Sequence, residues 1–235
     1  MDTRKIELLN DIIEEYIKKA CPVGSKFLAE KTGLDLSPAT IRNEMADLEK
    51  DGYIFQPYTS AGRAPTEKGY LFYLENNLNK FNLEPSEKKI LDKVINETIG
   101  KFKKDQSQLI KELAKKVADL VNETILVSFS PDEFYYTGLS NIFAQPEFNQ
   151  QERVVNLTEV IDHLDKEMAE IYHQIKKTEI LIGRTNPFGA DCSLIITNLD
   201  EISKKIFGIL GPMRMDYRKN INYLNYLKER LGHKS

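Results

Sequence analysis

Thr40, Arg42 and Asn43 carry side chains that match the exposed edges of DNA bases. A threonine methyl suits thymine, a guanidinium forks onto guanine and a carboxamide pairs with adenine. With Ala39 beside them they follow directly on Ser37-Pro38. A serine hydroxyl satisfies an orphan N–H at a helix start, and proline at the first helical position has no N–H to lose. A helix therefore begins there. Ile41, Met45 and Leu48 recur at helical spacing as its apolar stripe, which leaves Ala39, Thr40, Asn43 and Asp47 on the far side and Arg42 at the flank. A helix whose first turns are small and polar on one face can enter a major groove. In that reading Ala39, Thr40, Arg42 and Asn43 read base edges and Ser25, Lys26 and Ser37 hold the backbone. Tyr58, Thr59, Ser60 and Arg63 then touch phosphate or an adjacent minor groove.

The elements needed to position these residues can be read on either side. Ile6, Leu9, Ile13, Tyr16, Ile17 and Ala20 give a first helix its buried face, and Pro22 and Gly24 end it. Ser25 is expected to cap a short second helix anchored by Phe27, Leu28 and Ala29, with Gly33 left-handed at its end. That spacing is helix-turn-helix. Beyond the recognition helix Gly52 breaks the pattern, Tyr53 to Gln56 favour an extended strand, and the chain returns through Arg63 to Pro65 after a polar turn. This predicts a wing. Thr66 is expected to cap a closing helix packed by Tyr70, Tyr73, Leu74 and Leu78.

Residues 4–75 closely resemble the N-terminal domain of the HrcA family of bacterial heat-inducible transcription repressors. The resemblance is carried by PVGSK (Pro22 to Lys26), LDLSPATIRNEMADLE (Leu34 to Glu49) and QPYTSAGRAPTEKGY (Gln56 to Tyr70). It returns in GLSNIFAQPEF (Gly138 to Phe148) and GILGPMRMDY (Gly208 to Tyr217). The resemblance implies a homodimer that binds double-stranded DNA at an inverted-repeat operator before chaperone genes and releases it on heat stress. It also implies help from a GroEL-type chaperonin in reaching the active form, and a GAF-like C-terminal fold. The family's usual chain is longer, with strands and a dimerisation segment between the counterparts of Ser130 and Glu133, where this chain has only Pro131 and Asp132.

Charge and composition constrain this reading. Residues 1–80 hold 11 Lys and Arg against 13 Asp and Glu, whereas many DNA-binding domains are visibly basic. Contacts must come from a few placed groups such as Lys26, Arg42 and Arg63, and from helix N-termini. A single domain with so few cations binds weakly, and two on a dimer gain from high effective concentration. The chain of 235 residues is 41% hydrophobic and 29% charged, an ordinary soluble balance. No apolar run reaches membrane-spanning length and the N-terminus is charged and amphipathic, so no membrane association and a cytoplasmic location are expected. Cys21 and Cys192 show no pairing pattern and read as free thiols.

Between the matched ends, Leu91, Val94, Ile95, Ile99 and Phe102 form one apolar series and Leu109, Leu113, Val117, Leu120 and Val121 another, interrupted by Lys103 to Ser107. Two helices or one bent helix satisfy this, packed within the chain or on a partner. A joint falls at Asn79 to Ser86. Ile125 to Phe129, Ile180 to Ile182, Leu194 to Thr197 and Ile206 to Leu210 are strand-like. Leu157 to Ile175 and Asp216 to Leu231 are helical. The expected class is α+β: a winged helix-turn-helix domain over 1–79, a helical connector over 80–123, and an abbreviated GAF-like α+β domain over 124–235 with a dimerisation or regulatory role.

Catalytic and cofactor patterns are missing from the sequence. His163, His173 and His233 lack metal spacing, and Gly183 to Gly189 lacks the glycine spacing and lysine of a phosphate loop. Ser193 has no nucleophile-elbow glycine on either side. The expectation is a protein that is not an enzyme and carries no cofactor or metal. Two functions remain: a sequence-specific repressor of heat-shock genes, or a protein-interaction or ligand-sensing module that uses a winged helix as scaffold without strong DNA binding.

Overall fold

The structure, a computed structural model, describes residues 1–31, 36–149, 155, 158, 161–200 and 202–232. The chain divides into two compact units, Met1–Lys80 and Phe81–Ser235.

In the first unit, α1 (Thr3–Lys19) starts where Asp2 Oδ1 accepts the Lys5 N–H at 2.9 Å and stops at Ala20, whose φ is +53°. Its buried face is centred on Leu8, Leu9, Ile12 and Ile13, while Ile6, Tyr16 and Ile17 are half-buried at its edge. The expected stripe is therefore rotated, because Leu8 and Ile12 face the core. In α2 (Ser25–Lys31) Ser25 is the first helical residue rather than the cap. The Gly24 carbonyl accepts the first helical bond, from Leu28 N at 3.1 Å, which is the cap's role. Gly33 and Leu34 lie outside the described residues. α3 (Pro38–Lys50) is capped by Ser37, whose Oγ accepts from Thr40 N at 3.1 Å, and it buries Ile41, Met45 and Leu48. Fully burying each such side chain stabilises by about 1.5–3 kcal/mol.

α3 ends in a two-bond closure: Gly52 N donates to Glu49 O at 2.9 Å and Tyr53 N to Leu48 O at 3.0 Å, with Gly52 at φ +78°. Only a left-handed residue closes a helix in this way, and glycine adopts that conformation without strain. The chain then pairs β1 (Ile54–Phe55) antiparallel with β2 (Ala64–Pro65), shorter than the extended run the sequence predicts. An additional bridge joins Val23 to Arg63 and ties this ribbon to the α1–α2 connection. Thr66 Oγ1 accepts from Gly69 N and caps α4 (Glu67–Asn77), which buries Tyr70, Tyr73 and Leu74. Leu78, expected in that core, is 38% exposed because α4 has given way to a 3-10 turn over Leu78–Lys80.

The second unit opens with α5 (Pro85–Lys101) and α6 (Gln106–Val121), two helices separated at the polar run. Both fall within the second compact unit. β3 (Thr124–Ser130), β4 (Glu133–Thr137), β5 (Glu179–Ile182), β6 (Cys192–Asn198) and β7 (Ile206–Pro212) form one sheet in the order β4-β3-β7-β6-β5, and every pairing is antiparallel. β4 and the short helix α7 (Leu139–Phe143) were not expected from the sequence. Leu126, Leu194, Ile196, Ile206 and Leu210 pack with Leu164, Met168 and Ile171 of α8 (Leu164–Gln174) and with Phe188. Alternate residues Ile125, Val127, Ile195 and Ile209 are also fully buried, which places them on the opposite face. α6 packs on β3, and α9 (Tyr217–Leu231) on β6 and β7. Leu157 lies outside the described residues. The class is α+β, as expected; the sheet has five strands, one more than the sequence indicated.

Candidate nucleic-acid interface

At the start of α3 the Ser37 hydroxyl is occupied by capping and lies 2.9 Å from Thr40 Oγ1. Ala39, Arg42 and Asn43 are exposed and Thr40 is half-buried. Among the described residues neither Arg42 nor Asn43 makes a side-chain hydrogen bond or ion pair, so both polar ends face solvent. Farther along the helix Asp47 is held by Lys5 Nζ at 2.7 Å. That hydrogen bond pulls the Asp47 carboxyl below its ordinary value and pushes the Lys5 ammonium above its own. Glu44, buried on α3, pairs with Arg4 at 2.5 Å.

Beside this helix lies an open cleft of about 460 Å³. Ser25 and Lys26 reach it from α2, Arg42 from α3, and Thr59, Ser60 and Arg63 from the loop between β1 and β2. Six of the residues singled out by sequence are thus brought together. Ser37, Ala39, Thr40 and Asn43 stand at the helix start outside the cleft lining, and Tyr58 is 63% exposed on the loop.

What shapes the loop was not visible in the sequence. Gln56 Nε2 donates to the carbonyls of Thr59 and Ala61, each at 2.9 Å, while Gln56 N donates to Glu49 Oε1 at 2.9 Å. Glu49 Oε2 is also 2.9 Å from Arg63 Nη2, and the Arg63 side chain is only 16% exposed. The Arg63 guanidinium, read from sequence as a contact offered outward, is turned onto a carboxylate of α3. Its backbone exchanges two 2.9 Å hydrogen bonds with Val23. Gly62 makes that approach possible, since a Cβ there would sit 2.3 Å from the Val23 carbonyl oxygen. A glutamine ahead of a seven-residue connection, 57–63, was the only available signal, and it is a weak one.

Most cations of the unit are committed within it. Glu15, buried on α1, gathers Lys31 at 2.6 Å and Lys18 and Lys19 at 3.5 Å, and its carboxyl is held below the ordinary range chiefly by the Lys31 hydrogen bond. Asp11 moves the other way, pushed up to about 6 by burial and then by Glu14, Glu7 and Glu15.

Among the described residues no group of three His, Cys, Asp or Glu could hold a metal ion, and no helix is long and apolar enough to cross a membrane. Cys21 is exposed; Cys192 is buried, and burial pushes its thiol up to about 12. His163 and His173 sit at opposite ends of α8, and His233 lies outside the described residues.

By class this is a two-unit α+β protein whose first unit presents a polar helix start beside a polar loop. The model of the HrcA protein C-terminal domain matches residues 70–221, and the chain belongs to the HrcA family. A heat-inducible transcription repressor HrcA from Natranaerobius thermophilus is 28% identical over 320 residues, covering 94% of this chain and 93% of that protein. Its Clostridioides difficile counterpart is 40% identical over 124 residues, covering 53% of this chain and 35% of that protein. The 320 aligned positions exceed the 235 residues of this chain, so the match runs across positions it lacks, and the relatives have about 340 residues. The crystal structure of a hypothetical protein at 2.2 Å shares the fold, with a TM-score of 0.77 and 20% identity over 98% of this chain and 97% of that one.

Proposed function

We propose that the chain is a transcriptional repressor of heat-shock genes that binds DNA through a winged helix-turn-helix formed by residues 1–79. α3 is the recognition helix and the β1–β2 ribbon is the wing. Ala39, Thr40, Arg42 and Asn43 face base edges. Ser25 and Lys26, with the Ser37-capped N-terminus of α3, meet the backbone, and Tyr58, Thr59 and Ser60 form the wing's contact. Arg63 holds the wing in place instead of reaching outward. Residues 80–123 support a GAF-like domain over 124–235 that brings two copies together on an inverted repeat, in the cytoplasm, with a GroEL-type chaperonin assisting the active form. Heat loosens that dimer and so removes paired binding. Residues 131–132, now the turn between β3 and β4, are the point at which the longer family members carry their extra segment.

The observation that carries this reading is the exposed start of α3, with Arg42 and Asn43 unengaged beside a cleft that gathers Ser25, Lys26 and the loop. A gel shift at two salt concentrations with an inverted-repeat duplex and a scrambled one tests it. Tight binding to the repeat alone is expected, and equal, feeble binding to both would overturn it. That second outcome would favour a protein-interaction module, to which the surplus of 13 acidic over 11 basic residues and the many internal ion pairs of the first unit also point.

A further inference from the structure

A second cavity, of about 360 Å³, lies wholly within the second unit. Sites for small molecules run from about 300 to 1,000 Å³, so its size fits a single chain or ring. Its apolar surface comes from Ile99 and Phe102 at the end of α5 and Leu109 and Ile110 at the start of α6, with Leu199 and Leu231 closing it. Leu109, Ile110 and Leu199 are buried, so this floor is part of the packed core.

Among the described residues three cations and one acid line the same cavity, and their partners differ. Arg230 is committed: Nη1 lies 3.0 Å from Asp92 Oδ1 and Nη2 donates to Asn96 Oδ1 at 3.0 Å. The Asp200 carboxylate is engaged by its own loop, Oδ1 accepting from Ile202 N at 3.0 Å and Oδ2 from Ser203 Oγ at 2.5 Å. Lys205 donates to the neutral amide oxygen of Gln106. Among the described residues Lys103 makes no hydrogen bond or ion pair. Among the described residues, two ammonium groups therefore border an apolar floor and neither is paired with a carboxylate. Fully solvated lysines would not need such a floor, and an apolar ligand alone would gain nothing from the cations.

We propose that this cavity binds a small organic carboxylate with an apolar body. The body lies over Phe102, Leu109 and Ile110, removing apolar surface from water, and the carboxylate accepts hydrogen bonds from Lys103 and Lys205. The site shares no residue with the DNA-facing cleft and does not rest on the DNA reading.

Isothermal titration of the full chain with octanoate, octylammonium and acetate separates the contributions of tail and charge. Octanoate should bind saturably at one per chain, with octylammonium and acetate each weaker by about tenfold or more, a difference of about 1.4 kcal/mol. The double variant Lys103→Gln/Lys205→Gln should weaken octanoate by about tenfold or more while its circular dichroism stays unchanged. The proposal is overturned by absence of saturable octanoate binding, by octylammonium binding as tightly as octanoate, or by a folded double variant that keeps wild-type affinity. If the double variant does not fold, the three ligands on the wild-type chain still decide.

Discussion

Replacing Gln56 by alanine tests whether the loop between β1 and β2, the proposed wing, touches DNA, because one carboxamide sets its shape. The substitution removes the two 2.9 Å hydrogen bonds from Nε2 to Thr59 O and Ala61 O, but keeps the backbone bond from residue 56 to Glu49, since alanine retains the N–H. A neutral hydrogen bond contributes about 0.5–1.5 kcal/mol net. Thr59 is exposed and Ala61 half-buried, so water can take over both carbonyls and the total falls at the low end, about 1–2 kcal/mol. If the loop must be ordered in the complex, the same amount is lost from binding, about 5- to 30-fold per unit. Two units on an inverted repeat multiply their losses, to on the order of a hundredfold. The assay pairs gel-shift titration on the repeat with amide exchange at Ala61, whose N–H donates to Tyr58 O at 2.8 Å. Faster exchange at Ala61 with operator affinity kept within about twofold would refute the wing contact.

Asn43→Ala should remove ~1–3 kcal/mol of discrimination at one base position, measured on operators altered one base at a time; wild-type selectivity would withdraw Asn43 from base reading. Gly62→Ala drives a methyl into the Val23 carbonyl, 2.3 Å away, and should lower stability by about 1–3 kcal/mol, so an unchanged melting temperature counts against the close approach. Asp11, with its carboxyl at about 6, binds its proton more tightly folded than unfolded. It therefore opposes folding above that pH, and the penalty fades as pH falls through 6 towards the ordinary ~3.9. Asp11→Asn should stabilise by about 1 kcal/mol at neutral pH, after discounting for solvent screening of a half-buried group, and by nothing near pH 4; an equal gain at both would contradict the shift. Operator binding should have a shallow salt dependence: with Lys26 and Arg42 as the unpaired cations at the cleft, the logarithmic slope is about −2 per unit and about −4 for two. A slope near −8 would mean that other cations do the binding.

α3 is legible in the sequence down to its cap, because Ser37-Pro38 and the Ile41, Met45, Leu48 stripe act over one to eleven residues. The return of the ribbon and the Thr66 cap are local in the same sense. What escapes is set by distance or by competition. The hold of Glu49 on Arg63 joins residues fourteen apart across a turn, and the Val23 bridge joins residues forty apart, so neither leaves a periodic trace. Ser25 is a good cap by type, but Gly24 takes the position because the capping carbonyl is set by where the chain leaves its Val23 pairing. β4 was missed because Glu133 to Thr137 is short, and its identity as a strand comes from pairing with β3. Ser130 Oγ accepts from Glu133 N at 3.0 Å and closes the turn that makes this pairing local.

The acidic balance of the first unit loses much of its force once the ion pairs are located. Lys5 with Asp47 and Arg4 with Glu44 tie α1 to α3, and Lys31 with Glu15 ties α2 to α1. These charges cancel at short range and contribute little to the field beyond a Debye length of about 8–10 Å. The face that matters is different: among the described residues the cleft is lined by Lys26, Arg42 and Arg63 and by no acidic residue. Arg63 is largely neutralised by Glu49, which leaves two cations per unit to meet phosphate. A net charge of −2 over residues 1–80 is therefore compatible with a locally positive groove, but with a weak one. Under the repressor reading, affinity at a single half-site is small by construction and specificity depends on holding two such faces at a fixed spacing. On that reading the second unit, rather than α3, is the part of the chain through which binding is regulated.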